Sequence, residues 1–173
     1  MVQLFFFVQV FLKTRFGNFN AKNQVVVFSD PLCPYCQQTI PGMINKANKN
    51  PKDIALYYYH FPLLSIHPAA GPLSNAMIVA KQKGIKDVEM KMYLADFSKY
   101  FNARETNSQK ILDAFNKVYK SNITLKEINN EIVNNEVVVD LKMGEDVSVS
   151  GTPTIYVNGI NDKNRSLFGA LGN

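Results

Sequence analysis

Cys33 and Cys36 are the only cysteines in this chain of 173 residues, and only Pro34 and Tyr35 separate them. Two thiols at this spacing can form and release a disulfide by exchange with a partner. A helix beginning here would place Cys33 at its N-terminus, where unpaired N–H groups and the helix dipole favour a thiolate. The spacing therefore predicts that Cys33 is an exposed nucleophile with a lowered pKa and that Cys36, one turn in, is the buried resolving thiol.

A metal site is the first alternative for such a pair, because CxxC is also half of a common zinc motif. Structural zinc takes four ligands, and without a second cysteine pair His60 and His67 are the strongest further candidates. One of these histidines can instead stabilise a thiolate as His⁺, although capping a helix or facing solvent is the more ordinary role. A cysteine pair without a chemical role is the remaining alternative. The strand and helix on either side favour the redox interpretation, and we expect neither a metal nor a cofactor.

The cysteine pair lies between a predicted strand and a predicted helix. A strand is predicted at residues 24–28, which after Gln24 are apolar without interruption and mostly β-branched, as is typical of a strand buried on both faces. The turn that follows contains Asp30, which either caps the next helix or has only a turn role. Proline suits the first helical turn, so a helix is predicted over residues 34–48, with a kink at Pro41.

A second buried strand is predicted at residues 54–59, and its three tyrosines are expected to lie in the core or on a sheet face. Apolar residues at three- and four-residue spacing then predict helices at residues 73–83, 87–100, 108–120 and 124–142. The last of these begins with a capping box formed by Thr124 and Glu127. A short strand at 155–157 and a hairpin turn at 158–159 follow. This order predicts an α/β domain with a helical insertion rather than two domains side by side.

The composition fits a folded domain and limits its partners. Hydrophobic residues make up 46% of the chain and charged residues 19%, which allows a sizeable core. The formal charge is +5, but the 19 lysines and arginines are scattered, so no nucleic acid is expected as a partner. The apolar run Leu4–Leu12 is too short to span a bilayer, which takes about 20 apolar residues. It has neither a basic residue before it nor a small-x-small cleavage site after it, so an apolar strand or a start site within a longer precursor is favoured over a secretory signal.

A second motif, Gly-Thr-Pro-Thr, lies at residues 151–154. Proline is poorly placed inside a strand, but a cis Thr152–Pro153 bond at the start of the strand would turn the chain sharply. If that turn packs beside Cys33, the backbone of Thr152 can pair with an extended substrate of many sequences. An ordinary trans turn is the alternative for this tetrapeptide taken alone. Tyr35 is expected to be exposed and able to contact substrate.

Together the two motifs resemble those of the thioredoxin superfamily, and in particular of its DsbA-like thiol-disulfide oxidoreductases. The resemblance rests on FSDPLCPYC at residues 28–36, GTPT at 151–154 and the helical block between them, and it covers roughly residues 23–159. The cysteine motif is also similar to that of DsbG-type isomerases. The family implies a thioredoxin fold with an inserted all-helical domain, divided here into 1–65 with 145–173 and the insertion 66–144.

The same resemblance implies the site and the activity. It assigns catalysis to Cys33 and Cys36 and substrate binding to Thr152, Pro153, Pro34 and Tyr35. The implied activity is the introduction of disulfides into exported proteins, and the alternatives are a disulfide isomerase or reductase of the DsbC/DsbG type and a redox-inert binding module. Expected partners are unfolded or reduced substrate proteins and a membrane redox partner, DsbB-like or DsbD-like. We expect a monomer in the periplasm, although this chain shows no clear signal peptide.

Three departures from the family pattern stand out. Many relatives place a buried carboxylate six residues before the nucleophile, and this chain has Val27 there, so Asp30 or water would have to assist proton transfer. Only 23 residues precede Gln24, too few for the dimerisation domain of the isomerases, which favours the oxidase. Only 14 residues follow Gly159, so the final strand and helix of the family are expected to be short or incomplete.

Overall fold

The computed structural model describes residues 14–172 and contains a five-stranded sheet in the order β1-β3-β2-β4-β5. Its strands are β1 (Thr14–Gly17), β2 (Asn23–Ser29), β3 (Ile54–His60), β4 (Thr154–Val157) and β5 (Ile160–Asn161). The central β2 is parallel to β3 and antiparallel to β4, and the edge strands pair antiparallel to their neighbours. The three predicted strands are thus confirmed, and the run Leu4–Leu12 lies outside the described residues.

Seven α-helices and one 3₁₀ helix are found among residues 14–172. They are α1 (Pro34–Lys49), α2 (Ala70–Gln82), α3 (Val88–Leu94), the 3₁₀ helix (Phe97–Lys99), α4 (Ser108–Tyr119), α5 (Leu125–Ile128), α6 (Glu131–Asp146) and α7 (Ser166–Ala170). Helix α1 joins the parallel strands β2 and β3, which need such a crossover because a tight turn cannot connect them. None of the helices in this described part of the chain is long and apolar enough to cross a membrane.

The predicted helix at 87–100 is wrong in its second half. Helix α3 ends at Leu94, and Ala95 is extended. The carboxylate of Asp96 then accepts the N–H of Ser98 and caps the separate 3₁₀ turn. An aspartate that bonds to a nearby backbone N–H competes with the helical ladder, and this ends the helix although the apolar spacing continues.

The predicted helix at 124–142 is two helices. The capping box of Thr124 and Glu127 is confirmed, since the hydroxyl of Thr124 accepts from Glu127 and the carboxylate of Glu127 accepts from Thr124. However, α5 already ends at Ile128, and the side chain of Asn130 accepts an N–H of the first turn of α6. A second N-cap inside the periodic stretch therefore begins a new helix.

Successive side chains of β3 enter two different cores, because strand side chains alternate between the faces of a sheet. Leu56 and Tyr58 belong to the larger core, which also contains Ile40 and Met43 of α1, Leu73 and Met77 of α2, Met92 of α3 and Phe115 of α4. Tyr57 and Tyr59 belong to the smaller core with Phe28 and Phe61, against which Leu141 and Met143 of α6 pack. All seven residues of β3 are buried, so the expectation for its three tyrosines is confirmed.

The chain after the hairpin turn forms the two final elements in short form. Asn158 and Gly159 both have positive φ, as a two-residue hairpin turn requires, and the predicted turn is confirmed. Strand β5 has two residues and α7 has five. The buried carboxylate of Asp162 accepts the N–H groups of Leu167 and Phe168 and so holds the first turn of α7.

Two glycines inside helices give a matched test of the smaller core. A Cβ at Gly144 in α6 would lie 2.4 Å from a ring carbon of Phe61, whereas a Cβ at Gly42 in α1 would meet nothing within 4 Å. Gly42→Ala should raise the free energy of unfolding by about 0.5–1 kcal/mol, because alanine favours a helix. Gly144→Ala should lower it by about 1–3 kcal/mol, because the core has no room for the added methyl group. Denaturant unfolding of both variants measures this, and equal stabilisation by both would contradict the packing described here.

Candidate active site

Cys33 is the N-cap residue of α1, and Pro34 is the first residue of the helix. Cys33 itself is extended, with φ −70° and ψ 122°, and its carbonyl accepts the N–H of Gln37 at 3.0 Å, the first bond of the helix. The strand–CPYC–helix arrangement is thus the one that the sequence predicts. It leaves the sulfur of Cys33 at the end of α1 where N–H groups are free to stabilise negative charge.

The Gly-Thr-Pro-Thr turn packs directly against this sulfur. The thiol of Cys33 donates to the carbonyl of Thr152, with 3.2 Å between Sγ and O, although the residues are 119 positions apart. The Thr152–Pro153 bond is cis, as predicted. Arg165 donates from Nη2 to the carbonyl of Pro153 at 3.1 Å and holds the turn from its other side.

The expectation that Cys33 is exposed is wrong. Only 4% of Cys33 is accessible, because Thr152 covers its sulfur. Cys36 is fully buried, as expected. Tyr35 is 70% exposed and Pro34 is exposed as well, so these two side chains, and not the sulfur, are open to solvent at the start of α1.

A hydrogen bond from the Cys36 thiol is the largest cause that lowers the pKa of Cys33 from an ordinary 9.0 to about 5. Burial opposes this shift, and hydrogen bonds from the Thr152 side chain and from the backbone of Cys36 and Tyr35 add to it. The Thr152 hydroxyl is buried and has no other hydrogen-bond partner within residues 14–172, so it is free to donate to the thiolate. The carbonyl of Thr152 favours the protonated form of Cys33, because it can only accept a hydrogen bond. The groups that donate to the Cys33 thiolate outnumber this one acceptor, so the thiolate is favoured.

Cys36 is perturbed in the opposite direction. Its burial, and next its hydrogen bond to Cys33, raise the pKa of Cys36 well above 9.0, so it remains a thiol at neutral pH. Hydrogen bonds from the hydroxyl of Ser29 and from the backbone of Asp30 partly offset this. One sulfur is therefore the ionised acceptor and the other is the protonated donor of the same hydrogen bond.

Asp30 has the turn role and does not cap α1, whose N-cap has no side-chain hydrogen bond. Its buried carboxylate accepts the N–H of Leu32 at 2.6 Å and the N–H of Leu63 at 2.8 Å. His67 lies 3.0 Å from the same carboxylate through Nδ1. Asp30 thereby ties the loop after β3 to the turn that leads into Cys33.

The two histidines are in different surroundings. His67 pairs with Asp30 and is largely buried, whereas His60 is the last residue of β3 and its backbone N–H donates to the Asp140 carboxylate. The alternative that a histidine faces solvent thus fits neither of them. In the described ranges, no three His, Cys, Asp or Glu side chains are grouped so that they could hold a metal ion.

Three residues beside the cysteines were missed by the sequence interpretation. Ser29 contacts Cys36, and Tyr93 contacts Ser29. Arg165 contacts the carbonyl of Pro153. Ser29 has a signal in the sequence, since it is the one hydroxyl at the end of an apolar strand just before the motif. Tyr93 and Arg165 have none, because only the tertiary fold brings α3 and the turn before α7 to this site.

With the fold and site in place, comparison with known proteins identifies the family. The chain belongs to the thioredoxin family, whose family model, described as "Thioredoxin", matches residues 13–167. The fold is that of DsbA-like proteins, which confirms the fold class predicted from the two motifs. The division of the chain into a thioredoxin-like domain and an inserted helical domain at residues 66–144 stays a prediction.

Solved structures share this fold at low sequence identity. A periplasmic thioredoxin-like protein from Salmonella enterica serovar Typhimurium superposes with a TM-score of 0.68 and 18% identity, covering 91% of this chain and 86% of that one. A thioredoxin-like oxidoreductase from Silicibacter pomeroyi DSS-3 superposes with a TM-score of 0.67 and 17% identity, covering 88% of this chain and 86% of that one. DsbA2 of Pseudomonas aeruginosa superposes with a TM-score of 0.65 and 17% identity, covering 91% of each chain.

One curated protein is similar in sequence, the Na(+)/H(+) antiporter NhaA 1 of Mycolicibacterium vanbaalenii. It is 26% identical over 154 residues, which are 85% of this chain and 23% of the antiporter. The chain thus spans less than a quarter of the length of that protein.

The opposite pKa shifts of the two cysteines predict a titration at unusually low pH. The ultraviolet absorbance of the thiolate in the reduced protein should rise with a midpoint near pH 5, from one sulfur only. Cys33→Ser should remove this step, and Cys36→Ala should move the midpoint upward because the donor is lost. A single midpoint near 9.0 in the unmodified protein would contradict the site described here.

The same shift predicts how stability depends on pH. The pKa of Cys33 is lower in the folded protein, so its ionisation stabilises the reduced fold fully above about pH 9 and not at all below about pH 5. The stability of the reduced protein relative to the oxidised protein should therefore increase between these two values. Thermal unfolding of both forms across this range measures the difference, and a constant difference would argue against the shift.

Proposed function

We propose that this protein is a thiol-disulfide oxidoreductase that introduces disulfides into exported proteins, with Cys33 as nucleophile and Cys36 as resolving thiol. The observation that carries the proposal is the placement of Cys33 at the N-cap of α1, one turn before the buried Cys36 and with its sulfur 3.2 Å from the carbonyl of Thr152. It supplies an ionised sulfur, a second sulfur within reach of it and a backbone edge for a substrate.

The oxidised pair begins the exchange. A substrate thiolate attacks the Cys33 sulfur, the Cys33–Cys36 bond breaks, and its electron pair remains on Cys36. A second substrate thiol then loses its proton and attacks the substrate sulfur of the mixed disulfide, which releases Cys33 as a thiolate. Two electrons pass from the substrate to the pair, one proton goes to Cys36 and one to solvent, and the substrate leaves with a disulfide.

The direction of the reaction follows from the stability of the Cys33 thiolate. Lowering the pKa of Cys33 to about 5 stabilises the reduced form, so the oxidised pair is the better oxidant. A thiol with a lowered pKa is also the better leaving group, which favours release of Cys33 in the last step. Similarity of fold to DsbA2 of Pseudomonas aeruginosa and to the thiol-disulfide exchange protein alpha-DsbA2 of Wolbachia pipientis adds to the support.

The substrate would approach as an extended chain along Thr152. A substrate N–H that binds the Thr152 carbonyl would place the substrate beside the Cys33 sulfur, because Sγ lies 3.2 Å from that oxygen. Tyr35 at the start of α1 and Leu64 and Ile66 on the loop after β3 are exposed apolar side chains. Because Asp30 ties this loop to the active-site turn, these side chains are suited to contact an unfolded substrate.

Export and recycling complete the proposal. One structural neighbour is described as periplasmic, which agrees with the export that the sequence resemblance implies. An oxidase needs its disulfide restored after each turnover, and we assign this to a membrane redox partner of the DsbB-like class, or DsbD-like if the pair is instead kept reduced. The unit that acts would be a monomer.

Replacement of each cysteine by serine tests the two roles. Cys33→Ser should abolish oxidation of a reduced, unfolded disulfide protein, because no nucleophile remains. Cys36→Ser should instead accumulate mixed disulfides through Cys33, visible by non-reducing electrophoresis and mass spectrometry. Both variants should keep the circular dichroism of the parent, and trapping by Cys33→Ser in place of Cys36→Ser would reverse the assignment.

The oxidised parent protein distinguishes oxidase from isomerase. It should restore activity to a reduced substrate in stoichiometric amounts without added oxidant. Activity confined to a substrate with scrambled disulfides, and given only by the reduced protein, would contradict the oxidase and support the isomerase alternative.

A further inference from the structure

Three buried hydroxyl groups form a chain beside Cys36. The Ser29 hydroxyl lies 2.7 Å from the Tyr93 hydroxyl, and this lies 2.6 Å from the Tyr58 hydroxyl. The residues come from β2, α3 and β3, and all three are almost completely buried. Such short bonds between hydroxyls shielded from water polarise one another.

One end of the chain acts on the resolving thiol, because hydrogen bonding by the Ser29 side chain is among the causes that lower the pKa of Cys36. A hydroxyl has one proton and two acceptor positions, so Ser29 can donate to sulfur while it accepts from Tyr93, and Tyr93 can accept from Tyr58. All three protons can thus point toward Cys36 when it is ionised and turn away when it is a thiol. The structure fits either direction, since either oxygen of each hydroxyl pair can be the donor.

The exchange requires a charge on Cys36 in a site that disfavours it. Cys36 is fully buried. Val27 on β2 is also fully buried, and its apolar side chain cannot donate a hydrogen bond. The carboxylate of Asp30 is already engaged by Leu32, Leu63 and His67. Among residues 14–172, the Ser29 hydroxyl is therefore the side-chain group left to donate to Cys36, since Cys33 itself accepts from Cys36.

The tyrosines are suited to remain donors throughout. Burial is the main cause that raises the pKa of Tyr58 and of Tyr93 well above 10.0, so neither loses its proton at neutral pH. The charged groups that act on this end of the chain are Asp30 from the active-site turn and Glu89 from α3, and Glu89 pairs with Lys81 of α2 at 3.0 Å. Both carboxylates also favour the protonated form of Tyr58.

We propose that Ser29 stabilises the Cys36 thiolate during disulfide exchange and that Tyr93 and Tyr58 position and polarise the Ser29 hydroxyl. When a thiolate attacks Cys33, the Cys33–Cys36 bond breaks and its electron pair develops on Cys36, toward which the three hydroxyls turn. They donate hydrogen bonds and transfer no proton, and the proton that Cys36 later takes up comes from the second attacking thiol. This inference rests on the exchange chemistry proposed above, but not on its direction.

Reduction of the oxidised protein by glutathione tests the proposal, because Cys36 is the leaving group in its first step. Ser29→Ala should slow this step about 10- to 100-fold, since a hydrogen bond to a charged group is lost. Tyr93→Phe should slow it by a smaller factor. Ser29→Thr keeps the hydroxyl and should largely restore the rate.

Two controls separate this role from a structural one. Alkylation of Cys33 in the reduced protein does not create a Cys36 thiolate, so it should keep its rate in Ser29→Ala and Tyr93→Phe. Tyr57→Phe removes a tyrosine hydroxyl from the same strand, bonded to Gln24 and in the other core, and it should leave both rates unchanged.

The outcomes are distinct from those that test the proposed function. Unchanged reduction rates in Ser29→Ala and Tyr93→Phe, or the same loss in Tyr57→Phe, would overturn the role of the hydroxyl chain. Glutathione is a small thiol, so the measurement holds whether the protein is an oxidase or an isomerase. Failure of the unmodified protein to exchange with glutathione at all would instead remove the oxidoreductase function and the chain's role with it.

Discussion

The hydrogen bond between the two thiol groups is the interaction on which this site depends. Cys36 can donate it only while protonated, and burial ensures that protonation. Cys33 benefits from accepting it only when ionised, and the free N–H groups at the start of α1 favour that ionisation. This contact and the burial of Cys36 together separate the two pKa values, and each sulfur has the protonation state that its step in the exchange requires.

The fold provides this contact by bringing distant segments to one end of the sheet. Strand β2 delivers the motif, β4 follows the Gly-Thr-Pro-Thr turn, and their antiparallel pairing places Thr152 at the Cys33 sulfur. The same end of the sheet receives Asp30, which is held by the loop after β3, and Ser29, which is held by Tyr93 of α3. The helical block therefore contributes to the site as well as to the core.

The sequence predicts much of this arrangement because its signals are local. An apolar strand and a proline at the first helical position each act on their own neighbours, so the strands and α1 follow from them, whereas the Gly-Thr-Pro-Thr segment alone left a trans turn open. Tertiary contacts decide the rest. The burial of Cys33 needs the approach of Thr152, the role of Asp30 needs Leu63 and His67, and the hydroxyl chain needs Tyr93. Interrupted helices at Asp96 and Asn130 were missed because polar caps can occur inside an apolar periodicity.

The reduction potential of the Cys33–Cys36 pair tests the central claim most directly, since it measures how strongly the thiolate stabilises the reduced form. Equilibration with glutathione buffers at neutral pH gives this value. A Cys33 pKa of about 5 lies between those of thioredoxin, about 7, and DsbA, about 3.5. The potential should therefore lie between about −270 and −120 mV, and a value at or below about −270 mV would contradict the account.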